Sequence, residues 1–347
     1  MAALSTVAPL DSSGTKMTFL VGLLLTIVGV GAMSVNLVQD EWNTFKLRHG
    51  KKYDPVEDSY RMQIFMRKRH FIEQHNQRYL RGETTYYMRT NQFSDYYESE
   101  INKYLYGFNM TDYLLYAKKG ATFIRPTHSV PDSINWVSRG AVTPVKNQYH
   151  CACCWAFSAT GAMEGQVYLS RNKLVSLSEQ NLVDCASRGD GCSSSSNMLA
   201  AFTYIAENQG IDTEITYPYY GRKLRCAFKN DTVGAKSAGY TTIMDGSEEV
   251  LQEAVATQGP IAVGFNAALE SFREYSGGIY NDDRCIGNDL NHAMLLVGYE
   301  TEHGQDYWLL KNSWGTTWGL NGYVKIARNK DNLCGIATAA SYPNIKL

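Results

Sequence analysis

Asn147-Gln148-Tyr149-His150-Cys151-Ala152-Cys153-Cys154-Trp155-Ala156-Phe157-Ser158 packs three cysteines into four positions just ahead of a helix-forming run. Downstream, Trp155, Ala159, Ala162, Met163 and Val167 recur at helical spacing, which predicts a helix over Cys154–Arg171. Cys154 then stands at a helix start, where free N–H groups and the helix dipole favour a negative sulfur. Catalysis by a thiol needs a thiolate, a base to make it, and donors for the developing oxyanion. The backbone N–H of Cys154 can be one donor and the side-chain amide of Gln148 a second. Loss of one such donor typically costs ~10²–10³ in rate.

The base must come from elsewhere. His292 lies in Leu290-Asn291-His292-Ala293-Met294-Leu295, at the start of an apolar strand. Asn312 lies in Lys311-Asn312-Ser313-Trp314-Gly315, at the end of the next. An Asn312 side chain accepting from one imidazole nitrogen would fix the tautomer and leave the other nitrogen facing sulfur. Trp314 could cover that bond and exclude water.

The composition sets limits on the rest. The chain has 347 residues, 44% hydrophobic and 19% charged, with a formal net charge of −1. That is room for one large domain plus a further segment, and nothing in it suggests a nucleic-acid partner. The apolar run Thr18–Met33 follows Lys16, ends in small residues, and is shorter than the ~20 residues of a membrane span. It is read as a signal peptide cut within Gly31–Ser34. Met17 as the true start and an uncleaved signal anchor remain open alternatives. A secretory route places the eight cysteines in an oxidising compartment, lysosomal or extracellular. The sequons at Asn109 and Asn230 are glycosylation candidates on that route.

Asp40–Asn109 is charged and free of cysteine. Glu57, Arg61, Phe65, Ile72 and Asn76 line one face of a long helix. Gly107–Val130 loosens into a linker marked by Pro126 and Pro131. Ser176-Leu-Ser-Glu179 is taken as a capping box opening a helix through Asp184. Helices are predicted over Met198–Asn208 and Ser247–Gln258. Ile261–Phe265, His292–Tyr299, Tyr307–Lys311 and Tyr323–Ala327 are predicted strands. A helical half followed by a β half predicts an α+β chain of two lobes with a cleft between them.

Taken together these motifs resemble the papain-like cysteine proteases, within them the cathepsin L group. The resemblance rests on Gln148 with Cys154-Trp155-Ala156-Phe157-Ser158, on Asn291-His292-Ala293, and on Asn312-Ser313-Trp314-Gly315 with Trp318-Gly319. Asn181-Leu-Val-Asp184-Cys185, Tyr217-Pro218-Tyr219 and Cys334-Gly335-Ile336-Ala337 add to it. His292 and Asn312 follow the cysteine by roughly 140 and 160 residues, close to that family's own signature. The Glu57–Asn76 helix and Asn91-Gln-Phe93-Ser-Asp95 are similar to the two propeptide motifs of the group.

The resemblance implies a papain-like fold, with a helical left lobe, a β-barrel-like right lobe and an N-terminal helical propeptide. With the reading of the apolar run, it divides the chain into a signal peptide or signal anchor over 1–33, an inhibitory propeptide over 34–129 and a catalytic domain over 130–347. It implies the disulfides Cys151–Cys192, Cys185–Cys226 and Cys285–Cys334, the first contributing roughly 3–4 kcal/mol through loop closure. It implies a propeptide lying through the cleft in the direction opposite to substrate. Substrate contacts are expected from Trp155, Met198, Leu290, Asn291, Trp314 and Ala339. Met198, Leu290 and Ala339 would wall the pocket for the second residue before the cut, and the small Ala339 favours Leu, Phe or Val there. Expected partners are protein and peptide substrates, the chain's own propeptide and cystatin-like inhibitors, with the chain a monomer. No cofactor and no metal are expected.

The sequence departs from the pattern beside the nucleophile. Tyr149 and Ala152 stand where glycines are usual, Cys153 where serine is usual, and Ser193–Ser196 replaces a glycine pair. In the propeptide, Lys68 replaces an Asn and Arg89 a small residue. These changes motivate a competing reading, a decoy homologue without turnover. Retention of Gln148, Cys154, His292 and Asn312 argues against it. A redox or zinc role for Cys151-Ala-Cys153-Cys154 would need a thioredoxin-like context or a second ligand cluster, and neither is visible. Cys153 is expected to pack as a small hydrophobe. No partner is assigned to His49, His70, His75, His128, His150 or His303.

Overall fold

The computed structural model describes residues 37–346 apart from 188, 193–195 and 245. The leader Thr18–Met33 with its cut site, and most of Ser193–Ser196, therefore lie outside the described residues. Contacts divide the described chain after Phe65 into two compact units.

In the first unit a helix over 37–48 is followed by the start of the helix Pro55–Leu80. Trp42 is fully buried, stacked on Phe45 at 5.5 Å, and Phe45 meets Phe65 at 4.5 Å. Asp58 accepts from the Trp42 indole at 3.0 Å and pairs with Lys46 at 2.6 Å. Arg61 donates to Glu57 one turn earlier at 2.7 Å.

The second unit has two hydrophobic cores. One surrounds the helix Cys154–Arg171, with the helix Met198–Glu207 and the turn Glu179–Asn181 continuing as Leu182–Ala186. Every side chain from Cys154 to Gly165 is buried, because the helix runs between Met198–Glu207 and the strands His292–Glu302 and Ala340–Ile345. Gly161 and Gly165 make this close approach feasible: a Cβ on either would come within 2.7 Å of Leu295 or Pro260. The helix ends at Asn172 in the left-handed conformation.

The other core lies on a ten-stranded sheet. Its central run is Tyr275–Tyr280, Tyr323–Ala327, Gln305–Lys311, His292–Glu302, Ile261–Phe265, Ala340–Ile345 and Ser237–Ile243. All these pairings are antiparallel except Tyr323–Ala327 with Tyr275–Tyr280. Tyr86–Met88 and Ala121–Thr122 lie at the two ends of the sheet, so residues preceding 130 cover both edges. Asn76 holds the first of these in place, exchanging two hydrogen bonds with the Met88 backbone at 2.8 and 2.9 Å.

The architecture is the expected α+β arrangement of a helical and a β lobe, with several local corrections. The helix expected from Ser176 is capped by Ser178 instead, whose side chain accepts from Asn181 N at 2.9 Å. Glu179 cannot serve a capping box opened at Ser176, because its carboxylate is buried against Lys146 and Thr160. The supposed linker contains a helix, Met110–Ala117, capped by Asn109. Ser237–Ile243, Tyr275–Tyr280 and Ala340–Ile345 are strands that the alternation rule did not reveal, since glycine, serine and threonine interrupt their apolar residues. The stretch Asp40–Asn109, expected to be helical, is not purely so, because its Tyr86–Met88 joins the sheet.

Candidate active site

Cys154 is the first residue of its helix, and Cys153 at the N-cap provides no side-chain cap. The uncapped N–H groups are available to the sulfur instead. Those of Cys154 and Trp155 point at it, joined by the N–H of Ala293 from the sheet lobe and of Gly107 from the N-terminal segment. His292 opens its strand one residue before Ala293, so the strand that aims the Ala293 N–H at sulfur also carries the imidazole.

The ring of His292 is fully buried. Its Nε2 lies 2.8 Å from Asn312 Oδ1, which also accepts from Ser313 N, and its Nδ1 lies 3.2 Å from the carbonyl oxygen of Leu105. Trp314 covers the ring at 4.8 Å between centroids. The Gln148 amide donates to Tyr104 O at 3.0 Å and Leu105 O at 3.3 Å, while its oxygen accepts from Ser313 at 2.6 Å. Gln148, Cys154, His292 and Asn312 are thus brought together from both lobes.

Residues 104–109 fill the cleft. Phe108 N donates to Asn291 O at 3.1 Å and Asn109 N to Ser196 O at 3.3 Å, with Phe108 bridged to Ser196 in the parallel sense. The Phe108 ring shares a buried cluster with Met198, Leu290 and Ala339. At Gly264 an added Cβ would touch Phe108 and Leu290 at 3.1 Å and Ala339 at 3.2 Å, so the three converge on one point. Gln92 and Phe93 hold the loop after Asn312: Gln92 donates to Trp314 O at 2.8 Å and Phe93 meets the Trp314 ring edge-on at 5.4 Å.

This occupied cleft sets the electrostatics. Burial pushes the Cys154 thiol up to about 11 despite the N–H groups around it. Burial also pushes the His292 imidazole down to about 4, against the pull of Asn312 and Leu105. Both shifts favour the neutral form of each group while the segment is seated. A seated segment disfavours protonation of His292, so its contribution to closure is full above about 6.5 and lost as pH falls toward about 4. Glu274 acts with the opposite sign. Burial raises its carboxyl to about 7 where Ser94 of the segment donates to it at 2.7 Å, so its contribution to closure is full below about 4.5 and lost as pH rises through 7. The two contributions are of similar size and opposite sign, so labelling of Cys154 in the intact chain should change little between pH 6.5 and 4. Glu274→Gln, which removes the opposing contribution, should make labelling accelerate over that range, and a flat profile in the variant would contradict this assignment.

Cys153 is buried and free of disulfides. Its sulfur lies 3.0 Å from the hydroxyl of Tyr219, which donates its one proton to Gln148 O at 2.8 Å. Proton counting then makes Cys153 the donor to Tyr219, and burial holds its thiol well above the ordinary range. Cys153→Ser keeps that donor and should leave stability unchanged. Cys153→Ala leaves the Tyr219 oxygen without it and should cost about 1 kcal/mol, measurable by thermal unfolding.

Tyr149, at the position of a usual glycine, adopts φ 50° and is 63% exposed, with Asn147 Oδ1 accepting from its N–H at 2.8 Å. The disulfides are Cys151–Cys192, Cys185–Cys226 and Cys285–Cys334. Lys68 pairs with Glu270 at 2.8 Å, and Arg89 lies over Tyr87 at 5.4 Å. Histidines without an assigned partner acquire them: His75 is buried against Tyr86 O at 2.9 Å, and His150 meets the Tyr96 hydroxyl at 2.7 Å. Asn109 is half-buried in its capping role, whereas Asn230 is exposed. Sequence reasoning missed Leu105, Gly107, Phe108 and Tyr219. None belongs to a chemical motif apart from Tyr219 in Tyr-Pro-Tyr, and their importance comes from what faces them.

Comparison with known proteins agrees with this geometry. The family described as papain family cysteine protease matches residues 130–344, and the cathepsin propeptide inhibitor domain (I29) matches residues 42–101. The chain is 48% identical to cathepsin L of Sarcophaga peregrina over 338 residues, covering 94% of this chain and 99% of that protein. It is 43% identical to human cathepsin L2, covering 88% and 92%. Among solved structures, digestive procathepsin L2 of Tenebrio molitor larval midgut superposes with a TM-score of 0.84 at 41% identity, covering 89% of this chain and all of that one. A chain so matched along both its N-terminal segment and its two-lobed remainder belongs to the papain family of cysteine proteases, as a cathepsin L-like peptidase carrying its own inhibitory propeptide.

Proposed function

We propose that residues 34–129 are the propeptide of a cysteine endopeptidase whose catalytic domain spans 130–347, and that hydrolysis runs through a thiolate–imidazolium pair. With the propeptide gone, water and the N–H groups at the helix start stabilise the Cys154 thiolate and His292 takes its proton. The sulfur attacks the scissile carbonyl, whose oxygen is held by the Cys154 N–H and the Gln148 amide. His292 returns its proton to the leaving amine, then activates the water that hydrolyses the acyl-enzyme. Asn312 orients the ring throughout, and Trp314 shields their hydrogen bond.

One observation carries this reading. The Leu105 carbonyl oxygen sits 3.2 Å from His292 Nδ1 and 3.3 Å from Gln148 Nε2, so the cleft already seats a carbonyl between base and oxyanion donor. The parallel bridge of Phe108 to Ser196 supports a propeptide running opposite to substrate, which escapes cleavage for that reason. Phe108 against Leu290 and Ala339 supports an apolar preference at the second residue before the cut. Exposed Asn230 is the better-placed glycan acceptor, and the three disulfides fit a secreted or lysosomal destination.

The test is to express the precursor, mature it at acidic pH and assay peptides differing at that second residue. Turnover should favour Leu and Phe over Arg. Absence of both turnover and labelling by a thiol-directed epoxide would refute the proposal.

A further inference from the structure

The propeptide also marks the side of the cleft that receives the departing half of a substrate. Phe108 lies in the Leu290–Ala339 pocket, Gly107 donates to the Cys154 sulfur, and Tyr104 lies beyond it with its carbonyl on Gln148. The Tyr104 ring packs on His150, with centroids 4.9 Å apart and planes tilted by 42°. Tyr96 approaches the same imidazole, its hydroxyl 2.7 Å from Nε2 and its ring at 6.1 Å. Two propeptide tyrosines therefore meet one imidazole, within the separations at which aromatic rings attract.

Resting on the protease reading above, we infer that His150, with Tyr149 beside it, is a binding site for an aromatic side chain, tyrosine foremost, on the residues that follow the cut. Departure of the propeptide takes both tyrosines from the imidazole. Tyr149, the preceding residue, carries a further ring on a left-handed backbone, 63% exposed even in the precursor. A tyrosine on the leaving side can supply what the propeptide supplies now: a ring face for the imidazole and a hydroxyl for Nε2. A short aliphatic side chain supplies neither.

The experiment uses mature enzyme and peptides with Leu fixed at the second residue before the cut, carrying Tyr, Phe, Ala or Lys at each of the two residues after it. The expected kcat/KM ratio of Tyr over Ala is about threefold to tenfold at one of these positions. That ratio should fall toward one in His150→Ala and be partly retained in His150→Phe. Hydrolysis by wild-type enzyme without an aromatic preference, or a preference unchanged in His150→Ala, would overturn the inference and leave the protease reading standing. No hydrolysis of any peptide by wild-type enzyme would overturn both.

Discussion

Replacing Cys154 by serine is expected to lower kcat/KM by about 10⁴-fold or more while leaving the fold intact. Oxygen for sulfur is a small change in volume at a helix start whose packing comes from Trp155, Ala159 and Met163, all fully buried. The chemistry changes far more. The N–H groups of Cys154, Trp155 and Ala293 can help hold a thiolate at neutral or acidic pH. They cannot bring a hydroxyl, with its much higher proton affinity, into that range, and His292 has no accessible proton to take. Turnover of a Leu-bearing peptide and the thermal midpoint of the precursor check the two halves of this expectation. Activity within tenfold of wild type would mean that another group attacks the carbonyl.

The second large effect is at Gly107. A Cβ there would lie 2.0 Å from Ala152 O and 2.5 Å from its carbonyl carbon. These are backbone atoms in a loop held by the Cys151–Cys192 disulfide and by Ala152 N donating to Cys192 O at 3.1 Å, so they cannot give way. In Gly107→Val the propeptide must lift instead, withdrawing the Leu105 carbonyl from His292 and Phe108 from its pocket. The unprocessed precursor should then react with a thiol-directed epoxide at neutral pH at a rate near that of mature enzyme. A variant that remains unreactive until cleaved would show that inhibition does not depend on this contact.

Much of this was legible in the sequence because the chemistry is concentrated in short contiguous runs. A cysteine at a helix start, a histidine opening an apolar strand and an asparagine ending the next are each local signals, and the sheet register brings the last two together. The helix Pro55–Leu80 was visible through its spacing. Other features depend on distant neighbours. Asn109 reads as a sequon, yet it caps a helix and docks on Ser196. Ser176 and Ser178 are equivalent as capping candidates until Lys146 claims Glu179. Gly107 is an ordinary glycine until the Ala152 carbonyl is seen against it, and Cys153 acquires its role only from Tyr219 across the lobe.

The central claim is that one sulfur of two adjacent cysteines is activated. Acid-matured enzyme treated with a limiting amount of a thiol-directed epoxide, then digested and mapped by mass, addresses it most directly. The modification should fall on Cys154, in step with loss of activity, and leave Cys153 as an unmodified thiol. Modification of Cys153, or inactivation with Cys154 untouched, would contradict the account.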